Sequence, residues 1–179
     1  MLRKIYNPIQ KDYVTFLETS SETADKYTLV EVDLAAGGGV GLHYHKSYDE
    51  TFECVEGTLG IELEGRTLHL KAGEKVTAKV GEHHRFFNPT KERCRFLCTI
   101  TPGYRKFEMM LQIGYGLAEA GLTDKHSIPK NKLHLGYMVM LGDTWLTGWR
   151  QVFHYFIAYW NRKALEKGVD RDLERFIQY

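Results

Sequence analysis

Three residues close together open the chemistry of this chain: His43 and His45, one residue apart, and Glu50. On an extended strand, alternate side chains share a face, which puts the two imidazoles on one side about 6.6 Å apart along the chain. A turn through Lys46-Ser47-Tyr48 returns Glu50 to that face. Two imidazoles and a carboxylate converging inside a barrel are what a divalent transition metal requires of its ligands. His84 lies further on, between Gly73 and Asn88, on a strand of its own with Phe86 on the same face; it could supply a third imidazole. Taken alone, a His-x-His pair is more often an ordinary polar pair on a strand. The metal reading gains weight from the register of Glu50, His84 and the flanking glycines.

The elements that must hold these side chains change character near residue 103. Before it, apolar residues alternate in short runs. Thr28, Val30, Val32 and Leu34 share a face, with Leu29 the exception. Leu59, Ile61 and Leu63 form a second run, Leu68 and Leu70 a third, and Cys94, Phe96, Cys98 and Ile100 a fourth. A period of two marks strands with one buried face. Glycines at 37–39, 57, 65, 73 and 81 and the Asn88-Pro89 pair separate the runs. Regular short strands with this punctuation suggest an all-β barrel or sandwich. After residue 103 the spacing becomes helical, through Phe107, Met110, Leu111, Gly114, Leu117 and Ala118, with Gly121 placed to end the helix. Leu133, Tyr137, Met140, Leu141 and Trp145 give a second stripe, and Trp149, Val152, Phe153, Phe156, Ile157 and Trp160 a third, stopped at Gly168. Three helices are therefore expected. The expected division is residues 1–103 as barrel with N-terminal strands and 104–179 as a helical extension packed on it, forming one structural unit.

At this point the residues carry a family resemblance. Gly37, His43, His45, Glu50 and Gly57 fit every spacing of the first cupin motif, and Gly73, Gly81, His84 and Asn88 fit the second. Lys79 stands where that motif usually has proline, a change that touches no ligand. Roughly residues 28–101 resemble the cupin superfamily. The resemblance implies a mainly β fold, a double-stranded β-helix or jelly-roll barrel, followed here by the α-helical extension. It implies one divalent metal held by His43, His45, Glu50 and His84, with Fe, Mn, Ni, Zn or Cu all suited to the donors. It also implies a dioxygenase-like activity as the leading expectation, with sugar isomerisation or epimerisation next and a non-catalytic sensory or binding cupin as the alternative from another class.

The inward positions near such a metal are mostly apolar. Phe52, Phe86 and Phe96, with Tyr48 just before Glu50, are the candidates for the pocket of a small organic ligand. Cys94 and Cys98 would lie about 13 Å apart on a strand, too far for one ion, and are expected in the core. His83 and Glu53 have the opposite parity to the ligands and should face outward. His134 and His154 are expected to be structural, while His69 and His126 carry no signal.

Composition excludes other classes. The chain has 179 residues, and 24 Lys and Arg against 23 Asp and Glu leave a net charge of +1. No global field attracts a phosphate backbone, so nucleic acid is not an expected partner. The opening residues Met1 to Pro8 lack the apolar stretch of a secretory leader, no segment reaches the ~20 apolar residues of a membrane span, and three cysteines do not make a disulfide framework. A cytoplasmic setting is the expectation. The aromatic third stripe is too apolar to face water, so it should pack on the barrel or form a homodimer.

Overall fold

A computed structural model describes residues 3–178, so Met1 and Leu2 of the segment read for a leader lie outside it. Two antiparallel sheets enclose one core. The first orders β1 (Lys4–Asn7), β2 (Asp12–Glu18), β3 (Thr28–Leu34), β10 (Cys94–Thr101), β5 (Asp49–Glu56) and β8 (Lys75–Ala78). The second orders β11 (Trp145–Leu146), β4 (His43–Tyr44), β9 (His84–Phe87), β6 (Thr58–Leu63) and β7 (Arg66–Lys71). The fold is the expected double-stranded β-helix with a C-terminal helical region.

The alternation read from sequence is the core. Val30, Val32, Leu34, Phe96, Cys98 and Ile100 are buried on the central strands of the first sheet, facing Leu59, Ile61 and Leu70 of the second. In register, Cys98 lies between Val30 and Phe52. Burying one large apolar side chain contributes about 1.5–3 kcal/mol. The ion pairs along this sheet, such as Arg93 with Asp33 and Arg95 with Glu31, are largely exposed, and such pairs are worth about 0–1 kcal/mol. Burial, not charge pairing, therefore fixes the register. A one-residue slip would exchange the buried and outer faces of a whole strand.

The loop before β4 is held against β9. Gly39 has φ +151°, and a Cβ there would meet the Phe86 carbonyl oxygen at 2.7 Å. Val40 N donates to Phe86 O, and Asn88 N donates to Gly38 O. Asn88, the last residue of the second motif, is a structural tie: its amide donates to the Leu34 and Glu92 carbonyls.

Four helices follow the strands: α1 (Arg105–Glu119), α2 (Lys132–Gly142), α3 (His154–Glu166) and α4 (Val169–Glu174). Phe107, Met110, Leu111 and Tyr115 of α1 pack on the barrel core. Ile113 and Leu117, on its other side, join Met138, Ala164, Val169 and Leu173 in a second core. Gly121 (φ +69°) follows α1 and Gly168 (φ +71°) follows α3, both in the left-handed region expected of helix-ending glycines. Among the described residues no helix is long and apolar enough to cross a membrane.

Three expectations for the extension are corrected. The short helix α4 was not expected; its six residues are too few to show a period. Trp145 belongs to strand β11 rather than to α2, because Asp143 in the left-handed conformation ends the helix two residues earlier. The third stripe is not one buried helix face. Gly148–Phe153 forms a 3-10 helix, and α3 packs mainly on α2 through Ile157 and Trp160, meeting the barrel at its start, where His154 lies against Trp145 and Tyr44. Close approach is possible because Gly136 of α2 has no Cβ; one there would lie 2.6 Å from that of Trp160. Trp149, Val152 and Phe156 are exposed on the chain, because only part of an aromatic face fits under one neighbouring helix.

α1 is tied to the first sheet by a buried pair: the Tyr115 hydroxyl donates to Asp12 Oδ2 at 2.9 Å. Burial pushes the Asp12 carboxyl up to about 7, although the Tyr115 hydrogen bond works against this. The folded state then keeps a proton that the unfolded chain releases above about pH 3.9. The Asp12 contribution to stability is full below that value and is lost as pH rises through about 7. Urea unfolding at pH 5 to 8.5 should show stability falling up to about pH 7 and levelling off above it. In Asp12→Asn that part of the slope should be absent; an unchanged slope would show that Asp12 is not its source.

Candidate metal centre

The two sheets each bring part of one cluster. β4 carries His43, and the residue after it is His45; β9 begins with His84, and β5 carries Glu50. His43 and His84 are paired across β4 and β9. Glu50 comes from the facing sheet, after the bend expected at Lys46-Ser47-Tyr48. One potential ligand atom from each of the four residues lies within 4.8 Å of the others, the one such cluster among the described residues. His45, Glu50 and His84 are buried and His43 is half-buried.

Each imidazole is held the same way. His43 Nδ1 lies 2.8 Å from Gly41 O, His84 Nδ1 2.9 Å from Glu82 O and His45 Nδ1 2.9 Å from Asp143 O. A carbonyl oxygen only accepts, so each Nδ1 carries the hydrogen. The Nε2 atoms of His43 and His45 are thereby left as lone-pair donors. His84 Nε2 lies 2.8 Å from Glu50 Oε2, and His45 Nε2 is 3.4 Å from the same oxygen. His45 Nε2 is buried without a hydrogen-bond partner. A buried unpaired nitrogen costs free energy unless something takes its lone pair. A cation shared with Glu50 would do so, and the cluster therefore suits a metal ion.

The electrostatics agree. Burial alone would raise the Glu50 carboxyl, but His45 and His84 outweigh it and hold the group well below the usual carboxylate range. Burial works against charge on His84, and the Glu50 hydrogen bond reverses this and raises its pKa. Burial, with His84 and His45 nearby, lowers His43 to about 3, so it is neutral and ligand-ready over the physiological range. Cys98 Sγ lies 3.7 Å from Glu50 Oε1, and burial first, then Glu50, pushes its thiol pKa well up. It is a neutral wall of the site.

A cavity of about 560 Å³ opens from the cluster. His43, His45, Glu50, Cys98 and Phe86 line one part. Val14, Val30 and Val32 of the first sheet and Met110, Leu111, Met138 and Val139 of α1 and α2 wall a second, apolar part, and Asn7, Gln10, Arg85, Lys125 and His126 also line the cavity. Of the four pocket candidates only Phe86 lines this space. Tyr48, Phe52 and Phe96 are almost wholly buried behind it: Tyr48 stacks on His45 with ring centroids 4.3 Å apart, and Phe52 and Phe96 pack on Phe86. Inward parity placed them correctly in the core, but parity does not separate a filled interior from its free end. Cys54, Cys94 and Cys98 are free thiols in the interior. His83 is partly exposed, against Tyr44.

The α1 and α2 side of the cavity, with Thr144 and Thr147, was missed from sequence. Its residues repeat at ordinary helical spacing and carry no signal for a ligand. The break at Gly142-Asp143-Thr144, followed by Trp145-Leu146, was the one local sign that the chain returns to the barrel as a strand.

A two-sheet jelly roll with a largely buried His-His-Glu-His cluster at one end of its interior is a barrel suited to hold a metal ion. Residues 30–100 match the family model of the cupin domain, and with the two-sheet fold this match supports a cupin superfamily member. It is 30% identical over 86 residues to the tetracenomycin polyketide synthase protein TcmJ of Streptomyces glaucescens, a match covering 48% of this chain and 58% of that one. It is 32% identical over 66 residues to polyketide synthase CurC of Streptomyces cyaneus, covering 37% of this chain and 43% of that one. The chain thus spans about half the length of the curated relatives it matches. Among solved structures, polyketide cyclase RemF of Streptomyces resistomycificus superposes with a TM-score of 0.46 at 27% identity, covering 51% of this chain and 65% of that chain.

Metal affinity should depend on pH through His84. A ligating imidazole must lose its Nε2 proton, and the raised pKa of His84 makes that loss harder as pH falls. Co2+ titrations should show affinity decreasing by up to about tenfold per pH unit once the pH is below the His84 pKa, which lies above the usual ~6.5. His43, at about 3, should add nothing to this slope above pH 5. Affinity unchanged from pH 8 to 4.5 would count against histidine ligation.

Proposed function

We propose that this chain is a metal-dependent cupin enzyme for a small, largely apolar molecule with neighbouring oxygens, of the polyketide type. The observation that carries the reading is the opening of three of the four clustered donors, His43, His45 and Glu50, into a mostly apolar cavity of about 560 Å³, within the size range of small-molecule sites. His43, His45, Glu50 and His84 would hold one divalent ion, of Fe, Mn, Ni, Zn or Cu type. Bound there, such an ion supplies Lewis acidity to substrate oxygens. The chain's residues do the rest. The valines of β2 and β3 and the methionines of α1 and α2 exclude water and take the carbon skeleton. Glu50, kept ionised by its histidines, neutralises part of the ion's charge.

Two curated relatives are polyketide synthase proteins by name. Their names favour activation of a poly-carbonyl for ring closure over the dioxygenase-like activity that the cupin resemblance implied. Free buried cysteines support a reducing, cytoplasmic setting. The exposed Trp149, Val152 and Phe156 support a homodimer formed through that face.

The experiment is metal analysis of protein purified without chelators, followed by titration with 1,8-dihydroxyanthraquinone, whose visible absorption shifts on chelation. About one ion per chain and metal-dependent probe binding are expected. His43→Ala should lose roughly 10- to 100-fold or more in metal affinity while far-UV circular dichroism is unchanged. Absence of metal binding, or probe binding indifferent to metal removal, would overturn the reading. Turnover of a poly-carbonyl substrate should persist under argon; a requirement for dioxygen would restore the oxygenase reading. In size-exclusion chromatography with light scattering, the wild type should run as a dimer and Phe156→Asp as a monomer with its metal site intact.

A further inference from the structure

We propose that Asp143, in the turn between α2 and β11, is the positioning residue for His45, so that the helical extension and not the barrel completes the ligand set. This rests on the metal-centre reading above. His43 and His84 take their Nδ1 acceptors from carbonyls two residues away, Gly41 O and Glu82 O, within the barrel itself. His45 has no such local partner. Its acceptor is Asp143 O at 2.9 Å, 98 residues further along the chain.

The turn that presents this carbonyl is clamped from several directions. Asp143 adopts φ 51° and ψ 37°, a left-handed conformation that ends α2. Its carboxylate accepts from Lys46 N at 2.7 Å through Oδ2 and from Trp145 Nε1 at 2.6 Å through Oδ1. The Tyr48 hydroxyl donates to Gly142 O at 2.8 Å while the Tyr48 ring stacks on His45. Beyond the turn, Trp145 and Leu146 pair with Tyr44 and His43, and the Thr147 hydroxyl donates to Leu42 O. Residues 142–147 therefore run as a strap along residues 42–48, and the carboxylate of Asp143 binds the strap to the peptide next to His45.

The consequence for the ligand is specific. His45 is 3% exposed, so water cannot replace a lost Nδ1 acceptor. Without Asp143 O in place, the imidazole either buries an unpaired N–H or moves the hydrogen to Nε2. The second course removes the lone pair that now faces Glu50 without a partner. Loss of a group that orients a metal ligand typically costs 10- to 100-fold in affinity.

The test is titration of the full chain with Co2+ alone, followed by ligand-field absorption, together with nitrogen-15 NMR of the metal-free histidines. Asp143→Ala should bind Co2+ 10- to 100-fold more weakly, with an altered spectrum and without the Nδ1–H form of His45, while circular dichroism and cooperative unfolding stay native-like. Asp143→Asn, which tolerates the left-handed conformation and keeps one acceptor, should lie closer to wild type. Should Asp143→Ala fail to fold, Tyr48→Phe decides: it removes the Tyr48 bond to Gly142 O, leaving only the longer Thr144 hydroxyl contact, and should lose roughly 2- to 10-fold in affinity. A wild type that binds no Co2+ would sink the metal reading itself. A wild type that binds, beside a folded Asp143→Ala or Tyr48→Phe with unchanged affinity, spectrum and tautomer, would overturn the role of Asp143 and leave the metal centre standing.

Discussion

A buried carboxylate is the constraint from which the rest of the structure follows. Glu50 sits in the interior, where an isolated charge would be strongly unfavourable. It is tolerated because His84 and His45 reach it from the facing side of the barrel. Those two rings can do so only if the two sheets are held in fixed relation. The β3–β10–β5 core, with Val30, Cys98 and Phe52 side by side, supplies that relation for Glu50. The pairing of β4 with β9, and of β9 with β6, supplies it for the histidines. The Nδ1 contacts to backbone carbonyls then fix the rotation of each ring. Packing thus determines where the imidazoles stand, and hydrogen bonds determine which nitrogen they offer.

The extension does two jobs with different faces. α1 presents Phe107, Met110 and Tyr115 to the barrel and Ile113 and Leu117 to the other helices, joining two cores through one element. α2 contributes Met138 and Val139 to the cavity, and the chain leaving it returns to the barrel as β11. The 3-10 helix Gly148–Phe153 and the start of α3 follow directly after this return and keep Trp149, Tyr155 and Phe156 on the surface. The extension is therefore continuous with the site through α2 and β11 and presents apolar surface just beyond β11.

The barrel itself does not specify a reaction, since one fold hosts many chemistries. What bears on the choice is the pairing of a hard-to-ionise environment with a carboxylate that is nevertheless ionised, at one end of a space walled in part by valine and methionine. Such a site favours a ligand with clustered oxygens at one end and carbon elsewhere.

Local patterns were enough to read much of this protein. Alternation at Thr28–Leu34 and Cys94–Ile100 named the buried strands because side-chain parity on a strand is a local property. The nine motif positions from Gly37 to Asn88 pointed to the cluster through their resemblance to the cupin motifs, while the meeting of His84 with His43 and Glu50 is made by pairing of distant strands and facing of the two sheets. Gly121 and Gly168 marked helix ends because their left-handed conformations are a property of the residue. Tertiary structure decided the rest. Whether Tyr48, Phe52 and Phe96 line a cavity or fill the core depends on what packs over them, and parity is the same in either case. Whether the aromatic stripe from Trp149 to Trp160 is covered depends on how much of α3 one neighbour, α2, can reach. The link from Asp143 to His45 joins residues 98 apart, and no local pattern encodes a contact that exists only when α2 ends beside the barrel.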